Sequence, residues 1–229
     1  ARETGFDNIN VDLMFAIPGQ TCESWKHNLE TVAELSPEHI SAYSLIIEEG
    51  TPFARKKLIL PTEDEEYQMY EDTAEILRKY GFHQYEISNY ARDSFECRHN
   101  KGYWQCTEYL GIGLGAASLF QEKRFSNTRD MQTYLADSTD PEKIREDVVE
   151  LTENNKIEEF MFLGLRMTEG ISERQFERNF GCRIEDIYGS VLAKYKEMDL
   201  LEHAGEFWCF TRKGIHVSNP VLADFLLDE

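Results

Sequence analysis

The chain has 229 residues, which is enough for one large domain or two small ones. Its hydrophobic content of 41% is that of a globular protein, and no apolar run approaches the ~20 residues needed to span a bilayer. The sequence carries 24 Lys and Arg against 43 Asp and Glu, a formal charge of −19. This charge argues against nucleic acid, and against an anionic membrane except through a partner.

Cysteine spacing argues against a local metal site. No two of the five cysteines are arranged as C-x-x-C, so neither a zinc ribbon nor a locally bound iron–sulfur cluster is expected. The first residues do not have the form of a secretory signal, and an odd cysteine count then fits a reducing compartment. We therefore expect a cytoplasmic protein with free thiols.

The first hundred residues have an α/β pattern. Residues 9–17 are mostly apolar and predict a strand buried on both faces, and residues 39–47 predict a second strand. Thr21 is a suitable N-cap for a helix between them. Because a helix connects the two strands, they should be parallel. Asp12 interrupts the first strand. If buried, its carboxylate needs a ligand or a backbone N–H as partner, and the alternative is an exposed strand end.

The next helix has the strongest local signals. Thr62 and Glu65 form a capping box, and Gly81 is placed to end the helix. Residues 82–90 alternate as a third strand. Tyr67 and Tyr70 lie on the apolar stripe of the helix and are interpreted as core residues.

From about Phe125 onward the pattern becomes mainly helical. Helices are predicted at about 153–167, 172–180 and 184–199, followed by a hairpin over 200–210 and a last helix capped by Thr211 and broken at Pro220. This order suggests a winged-helix-like module. From Asp130 onward, 11 Lys and Arg face 22 Asp and Glu, which favours a structural or docking role over DNA binding.

The densest group of chemical side chains is E96-C-R-H-N-K-G-Y-W104. An imidazole beside two large rings and two cations suits a flat anionic ligand that carries a metal, because neutral imidazole is a common heme-iron ligand. The structural alternative is a loop in which His99 caps a helix or bonds a carbonyl. Sequence reasoning alone leaves both open.

A glycine run follows at 111–116 and matches the dinucleotide fingerprint G-x-G-x-x-A, with Asp130 about 20 residues further on. The flanking strand is short and no strand ends at Asp130, so we favour the alternative, a strand whose glycines let a cofactor approach its backbone. No serine lies in a G-x-S-x-G elbow, so a serine hydrolase is not indicated.

Several motifs in order resemble the oxygen-independent coproporphyrinogen III oxidase-like family of radical-SAM proteins. They are V11-DLMFAIPGQ-T21, S41-AYS-L45, Y85-EISN-Y90 and Y109-LGI-G113. Within the family, H99-NKGY-W104 is similar to the HNxxYW signature of the heme-chaperone branch, HemW. The true oxidases lack this Trp-containing form, and the resemblance covers nearly the whole chain.

The resemblance implies an α/β fold: a partial (β/α) radical-SAM barrel over residues 1–125, then a mainly helical, winged-helix-like C-terminal domain over 126–229. It also implies S-adenosyl-L-methionine (SAM) and a [4Fe–4S] cluster as cofactors of the full-length protein. Four positions then match SAM contacts: Asp12, Met14, Ile46 and Ala117.

For the chaperone branch, the resemblance implies a heme or porphyrin ligand and a heme-accepting apoprotein as partner. His99 would ligate the iron or lie against the heme, next to Asn100, while Tyr103 and Trp104 would pack on the macrocycle. From charge alone, Arg98 and Lys101 would meet the propionates. The alternative function is that of the oxidase, acting on coproporphyrinogen in porphyrin biosynthesis.

One departure from the family is important. The cluster-binding C-x-x-x-C-x-x-C motif does not occur in this sequence. We therefore expect the chain to be the C-terminal portion of a longer protein and to perform no radical chemistry alone, so that its status as an enzyme is left open. A partial barrel exposes sheet edges, so a homodimer is also left open.

Overall fold

The computed structural model describes residues 1–227. These form two compact units, one over Ala1–Arg98 and one from His99 onward. This division by packing lies earlier than the family-domain boundary predicted at 125/126, which stays a prediction.

The first unit is a four-stranded sheet with two helices. Its elements are β1 (Asn10–Phe15), α1 (Cys22–Glu34), β2 (His39–Ser44), α2 (Glu63–Lys79), β3 (His83–Glu86) and β4 (Asn89–Ala91). The strand order is β1-β2-β4-β3, and β1 and β2 are parallel as predicted. The hydroxyls of Thr21 and Thr62 accept hydrogen bonds from the backbone N–H groups of Ser24 and Glu65, which confirms both predicted N-caps.

Only one face of β1 is buried, so the prediction of a strand buried on both faces is wrong. Phe15 packs in the core with Trp25 and Leu29 of α1, whereas Asp12 and Met14 are exposed on the opposite face. Of the two alternatives for Asp12, the buried carboxylate is therefore wrong and the exposed position is the one observed. The Asp12 Oδ1 atom accepts a hydrogen bond from Asn10 Nδ2 at 2.7 Å.

The single strand predicted over 82–90 is in fact the hairpin of β3 and β4. Its turn at Ile87 and Ser88 carries no glycine or asparagine signal of the kind that marks tight hairpins. Instead, the Glu86 carboxylate accepts hydrogen bonds from the Ser88 backbone N–H at 2.9 Å and from the Asn89 side-chain amide. A buried side chain thus supports this turn.

The second unit begins with mixed structure. Its elements up to residue 150 are α3 (Arg98–Trp104, whose first residue belongs to the first unit), β5 (Ala117–Phe120), β6 (Lys123–Asn127), α4 (Met131–Asp137), α5 (Pro141–Ile144) and β7 (Arg145–Glu150). The strands form an antiparallel sheet in the order β5-β6-β7. Asp130 caps α4 through the Thr133 backbone N–H at 2.7 Å, which excludes the role of a dinucleotide-binding strand end.

The remainder of the unit has the predicted winged-helix-like order. It comprises α6 (Glu153–Gly164), β8 (Ile171–Ser172), α7 (Glu173–Phe180), α8 (Ile184–Glu197), β9 (Leu201–Ala204), β10 (Phe207–Phe210), α9 (Arg212–His216) and α10 (Ser218–Ala223). The sheet order is β8-β10-β9, and the core includes Phe176, Tyr188 and Trp208. Pro220 does not break the last helix, because it lies in the first turn of α10, where a missing N–H is tolerated.

Candidate functional site

All six residues predicted to bind heme lie on α3, which is a seven-residue helix. The side chains of Arg98 and His99 are exposed, and those of Asn100, Lys101, Tyr103 and Trp104 are partly buried. The structure therefore does not have His99 in apolar packing. Within residues 1–227 the His99 imidazole makes no hydrogen bond, so both of its nitrogens are available to a ligand.

Three rings form a continuous row that begins at His99. Residues four apart on a helix face one another, and the His99 and Tyr103 rings meet edge-on with centroids 4.6 Å apart. Tyr103 meets Tyr109, which follows α3, at the same separation and at 86° between ring planes. Edge-to-face contacts of this kind add about 0.5–1.5 kcal/mol beyond the burial of the rings. The row therefore holds the imidazole in a defined orientation.

Two of these rings open onto a cavity of about 290 Å³ within the second unit. Its lining is mostly apolar, and consists of Tyr103, Trp104, Tyr109, Leu119, Arg124, Glu159, Phe162 and Leu163. Apolar and aromatic walls with few polar groups are the usual composition of small-molecule sites. The sequence cluster on α3 thus borders a real concavity.

The two charged residues of this cavity neutralise each other. The Arg124 Nη2 atom lies 2.8 Å from Glu159 Oε2, and the Glu159 side chain is only 15% exposed. Partial burial strengthens the attraction relative to a pair in water. Sequence reasoning missed this pair, because β6 and α6 carry the two residues 35 positions apart.

Trp104 also contacts a second arginine through the face of its ring. The guanidinium carbon of Arg166, which follows α6, lies 4.5 Å from the centroid of the Trp104 ring. Cation–π contact with tryptophan is the most favourable of its class. No signal in the sequence connected these residues, because only the packing of α6 brings them together.

A second cavity of about 300 Å³ shares Leu119 and Glu159 with the first. Its lining includes the apolar rings of Phe160 and Phe180 and several carboxylates. Cys106 lines it, and burial, assisted by the nearby Glu159 carboxylate, raises the pKa of this thiol to about 11. Cys106 is therefore a protonated, unreactive thiol at neutral pH.

The glycine run after Tyr109 is a loop held by side-chain hydrogen bonds. It is neither a dinucleotide-binding turn nor the strand that was expected. The Asn127 Nδ2 atom donates to the carbonyl oxygens of Gly111 and Gly113 at 3.1 and 3.0 Å. A Cβ on Gly111 would lie 2.3 Å from the carbonyl oxygen of Ala117, so no larger residue fits there. The loop leaves the side chain of Ile112 92% exposed.

The four residues predicted to contact SAM are all exposed and are divided between the units. Asp12 and Met14 share the free face of β1, and Ile46, 74% exposed, follows β2 at the same edge where the parallel strands end. Ala117 is the first residue of β5 in the second unit. Within the first unit the structure thus places three of the four on accessible surface at one end of the sheet.

A buried polar cluster that the sequence did not indicate lies beside Asp12 on the same sheet face. The two ring nitrogens of His39 lie 2.7 Å from Asn10 Oδ1 and 2.8 Å from the Tyr85 hydroxyl. Burial lowers the pKa of His39, and the Asp12 carboxylate opposes this only in part. The alternation of His39 and Ser41 with Ile40 and Ala42 was the available signal.

Residues 1–227 contain no group of three or more His, Cys, Asp or Glu side chains arranged to hold a metal ion. All five cysteines are free thiols. In the same part of the chain no helix is long and apolar enough to cross a bilayer.

The chain is similar in sequence to one family model and to several known proteins. Residues 151–217 match the family model of the HemN C-terminal domain. The chain is 38% identical to the heme chaperone HemW of Lactococcus lactis, over 100% of this chain and 61% of the relative. It is 37% identical to HemW of Bacillus subtilis, over 99% and 61%. The chain therefore spans about three fifths of the length of these relatives.

Among solved structures, the fold is similar to coproporphyrinogen III oxidase (HemN) from Escherichia coli, which is described as a radical-SAM enzyme. The TM-score is 0.79 with 20% sequence identity, covering 98% of this chain and 56% of that structure. At this identity the similarity concerns the fold alone. It confirms the predicted α/β class.

Proposed function

Because this chain belongs to the radical-SAM coproporphyrinogen oxidase-like family, in the branch of the HemW proteins, we propose that it is the heme-binding portion of a heme chaperone. In this proposal helix α3 binds heme, and the whole protein passes it to a heme-accepting apoprotein. The single observation that carries the proposal is the environment of His99. Its imidazole is exposed and free of hydrogen bonds within residues 1–227, and it lies edge-on to a tyrosine that lines an aromatic cavity.

A structural histidine would be expected to have a different environment. A capping or core histidine uses at least one ring nitrogen in a hydrogen bond, as His39 does with both. His99 uses neither, and Tyr103 fixes its ring plane. An oriented imidazole with a free nitrogen is what an axial heme ligand requires.

The size of the cavity sets how the macrocycle is held. At about 290 Å³ it lies at the lower limit of ordinary ligand pockets, which are roughly 300–1,000 Å³. A tetrapyrrole would therefore insert one edge into the cavity that Tyr103 and Trp104 line and leave the rest outside. Partial exposure suits a protein that must release its cargo, because a deeply enclosed ligand leaves slowly.

The flanking polar residues complete the proposed heme site. Positive charge for the propionates comes from Arg98, which is exposed at the start of α3, and from Lys101, one turn later. Without these cations, the chain's charge of −19 would repel the acidic groups of the ligand. Asn100 lies between them and offers a donor and an acceptor.

The accessible face of β1 fits the role of a SAM contact. The Asp12 carboxylate is exposed and can accept hydrogen bonds from hydroxyl or ammonium groups, while Met14 and Ile46 offer apolar surface beside it. Ala117, with its small side chain, permits close approach of a ligand to the backbone of β5. SAM, when reduced at an iron–sulfur cluster, supplies radical chemistry in this superfamily.

The donor set for that cluster does not fit this chain. Its five cysteines lie at positions 22, 97, 106, 182 and 209, and none forms part of a C-x-x-x-C-x-x-C motif. We therefore derive no radical step from these residues and propose heme binding and transfer as the function of this portion. Five free thiols fit a reducing cytoplasm as the location.

Hemin titration tests the proposal, followed by the Soret band of the bound heme. We expect His99→Ala to weaken binding at least tenfold and to shift the band, because an axial ligand is lost. The control is His27→Ala, which removes an exposed histidine from α1. Equal affinities and identical Soret bands for the His99 and His27 variants would contradict the proposal.

A further inference from the structure

Two N–H donors lack acceptors on a contacting pair of side chains, Trp104, which lines the aromatic cavity, and Arg166. Neither Trp104 Nε1 nor Arg166 Nε has a hydrogen-bond partner within residues 1–227, although both atoms are buried. A buried donor without a partner costs about 1–3 kcal/mol, so such groups need an explanation. Here the two donors belong to side chains in contact, with the Arg166 guanidinium carbon 4.5 Å from the centroid of the Trp104 ring.

From this pair we propose that Trp104 and Arg166 form a carboxylate-binding subsite, and that it takes a propionate of the tetrapyrrole. The inference rests on the proposed function and adds to it a residue outside the recognised α3 motif. Trp104 supplies one N–H and a flat surface, and Arg166 supplies the positive charge. A guanidinium matches a carboxylate with parallel hydrogen bonds, which an ammonium group does not.

The charge balance of the cavity supports Arg166 as the anion partner. The arginine that lines the cavity, Arg124, is already paired with Glu159 at 2.8 Å. Arg166 makes no ion pair and no side-chain hydrogen bond within the described chain, even though acidic residues outnumber basic ones 43 to 24. A partially buried cation that stays unpaired in so acidic a protein is available to an external carboxylate.

The packing also explains why this arginine is held ready. Arg166 follows the C-cap of α6 at Leu165, which is buried, so the backbone at this point is fixed by the core. Stacking on Trp104 then fixes the plane of the guanidinium, and less side-chain entropy is lost when a carboxylate binds.

Esterification of the propionates provides the test. Hemin and hemin dimethyl ester are titrated in the same detergent-containing buffer, so that the two ligands differ only in their carboxylates. For the wild-type chain we expect hemin to bind about tenfold more tightly than the ester. Arg166→Gln should lower this preference to about twofold by weakening hemin binding alone, because Arg98 and Lys101 still attract the propionates. Trp104→Phe, which keeps a ring but lacks the N–H, should reduce the preference about threefold.

The control is Arg178→Gln, which makes the same charge change at an exposed position of α7 and should retain the full preference. Arg166→Lys keeps the charge without the planar guanidinium and should give a preference between those of the wild type and Arg166→Gln. The thermal unfolding midpoint of each variant is compared with that of the wild type. A wild type that binds neither ligand would contradict the proposed function itself. A wild type without preference, or an Arg166→Gln variant that retains it, would overturn the subsite alone.

Discussion

The imidazole of His99 meets the Tyr103 ring edge-on, with the two ring centroids 4.6 Å apart. The contact joins the residue proposed to ligate iron to one that lines the aromatic cavity, so Tyr103 both orients the imidazole and forms part of the ligand's surroundings.

Replacement of Tyr103 separates its ring from its hydroxyl. Tyr103→Phe keeps both edge-to-face contacts and should leave hemin affinity within about twofold of wild type. Tyr103→Ala removes them and should weaken hemin binding about tenfold or more, because the imidazole and the cavity wall both lose support. Spectroscopic titration of both variants checks this, and equal loss in the two would show that the hydroxyl, rather than the ring, is what matters.

The thiols should differ sharply in reactivity. Burial raises the pKa of Cys106 and of Cys209 to about 11, so at pH 8 only about one thiol in a thousand is a thiolate at either position. We expect brief treatment of the folded chain with iodoacetamide to modify the partly exposed Cys22, Cys97 and Cys182 first. Peptide mass spectrometry measures this order.

The same experiment has an internal check. Glu159→Gln removes the carboxylate that helps to raise the pKa of Cys106, so alkylation of Cys106 should become faster while that of Cys209 stays unchanged. Modification of Cys106 in the wild type as rapid as that of Cys97 would contradict the raised pKa of the Cys106 thiol.

His39 should make stability depend on pH. Its pKa is lowered by burial from the ordinary value of 6.5, so the folded imidazole stays neutral to lower pH than the unfolded one. As pH falls through 6.5 the unfolded state binds more protons, and the free energy of unfolding decreases. Urea unfolding at pH 7.5 and 5.5 should therefore show a smaller decrease for His39→Gln than for wild type.

The exposed His27 provides the control for this pH effect. His27→Gln should keep the decrease of the wild type, because this side chain lies in solvent. The same pH dependence for His39→Gln and His27→Gln would mean that other groups cause it.

Two glycines should respond to alanine in opposite ways. At Gly111 the added Cβ would lie 2.3 Å from the Ala117 carbonyl oxygen, and we expect a loss of roughly 1–3 kcal/mol in the free energy of unfolding. At Gly189, inside α8, the added Cβ would lie 3.8 Å from Glu185 Cβ, an ordinary van der Waals contact, and alanine should stabilise the helix by about 0.5–1 kcal/mol. Urea unfolding measures both, and a stable Gly111→Ala variant would contradict the tied loop geometry.

Local signals in the sequence predicted the parts of the fold that depend on local physics. The caps at Thr21 and Thr62 and the positive φ of Gly81 after α2 are set by neighbouring residues, and the parallel pairing of β1 with β2 follows from the helix that connects them. The exposed face of β1 was missed because a hydrophobic strand was assumed to be covered on both sides. The turn before Asn89 was missed because a buried glutamate, rather than a turn residue, stabilises it.

The site was predictable only as far as one helix extends. The motif from His99 to Trp104 is continuous in the sequence, so its residues were found together, and the structure gives them a common helix and a cavity. Arg124, Glu159 and Arg166 reach the same region from other elements, through tertiary packing that has no local signature. The contribution of such residues to a site can be recognised only from the three-dimensional structure.

The most direct test of the central claim is the electron paramagnetic resonance spectrum of ferric heme bound to the chain, with and without the imidazole at position 99. The account predicts a histidine-ligated spectrum for the wild type and for His27→Ala, its loss in His99→Ala, and its recovery in that variant on addition of free imidazole. A His99→Ala spectrum that is the same as that of the wild type, before any imidazole is added, would contradict it.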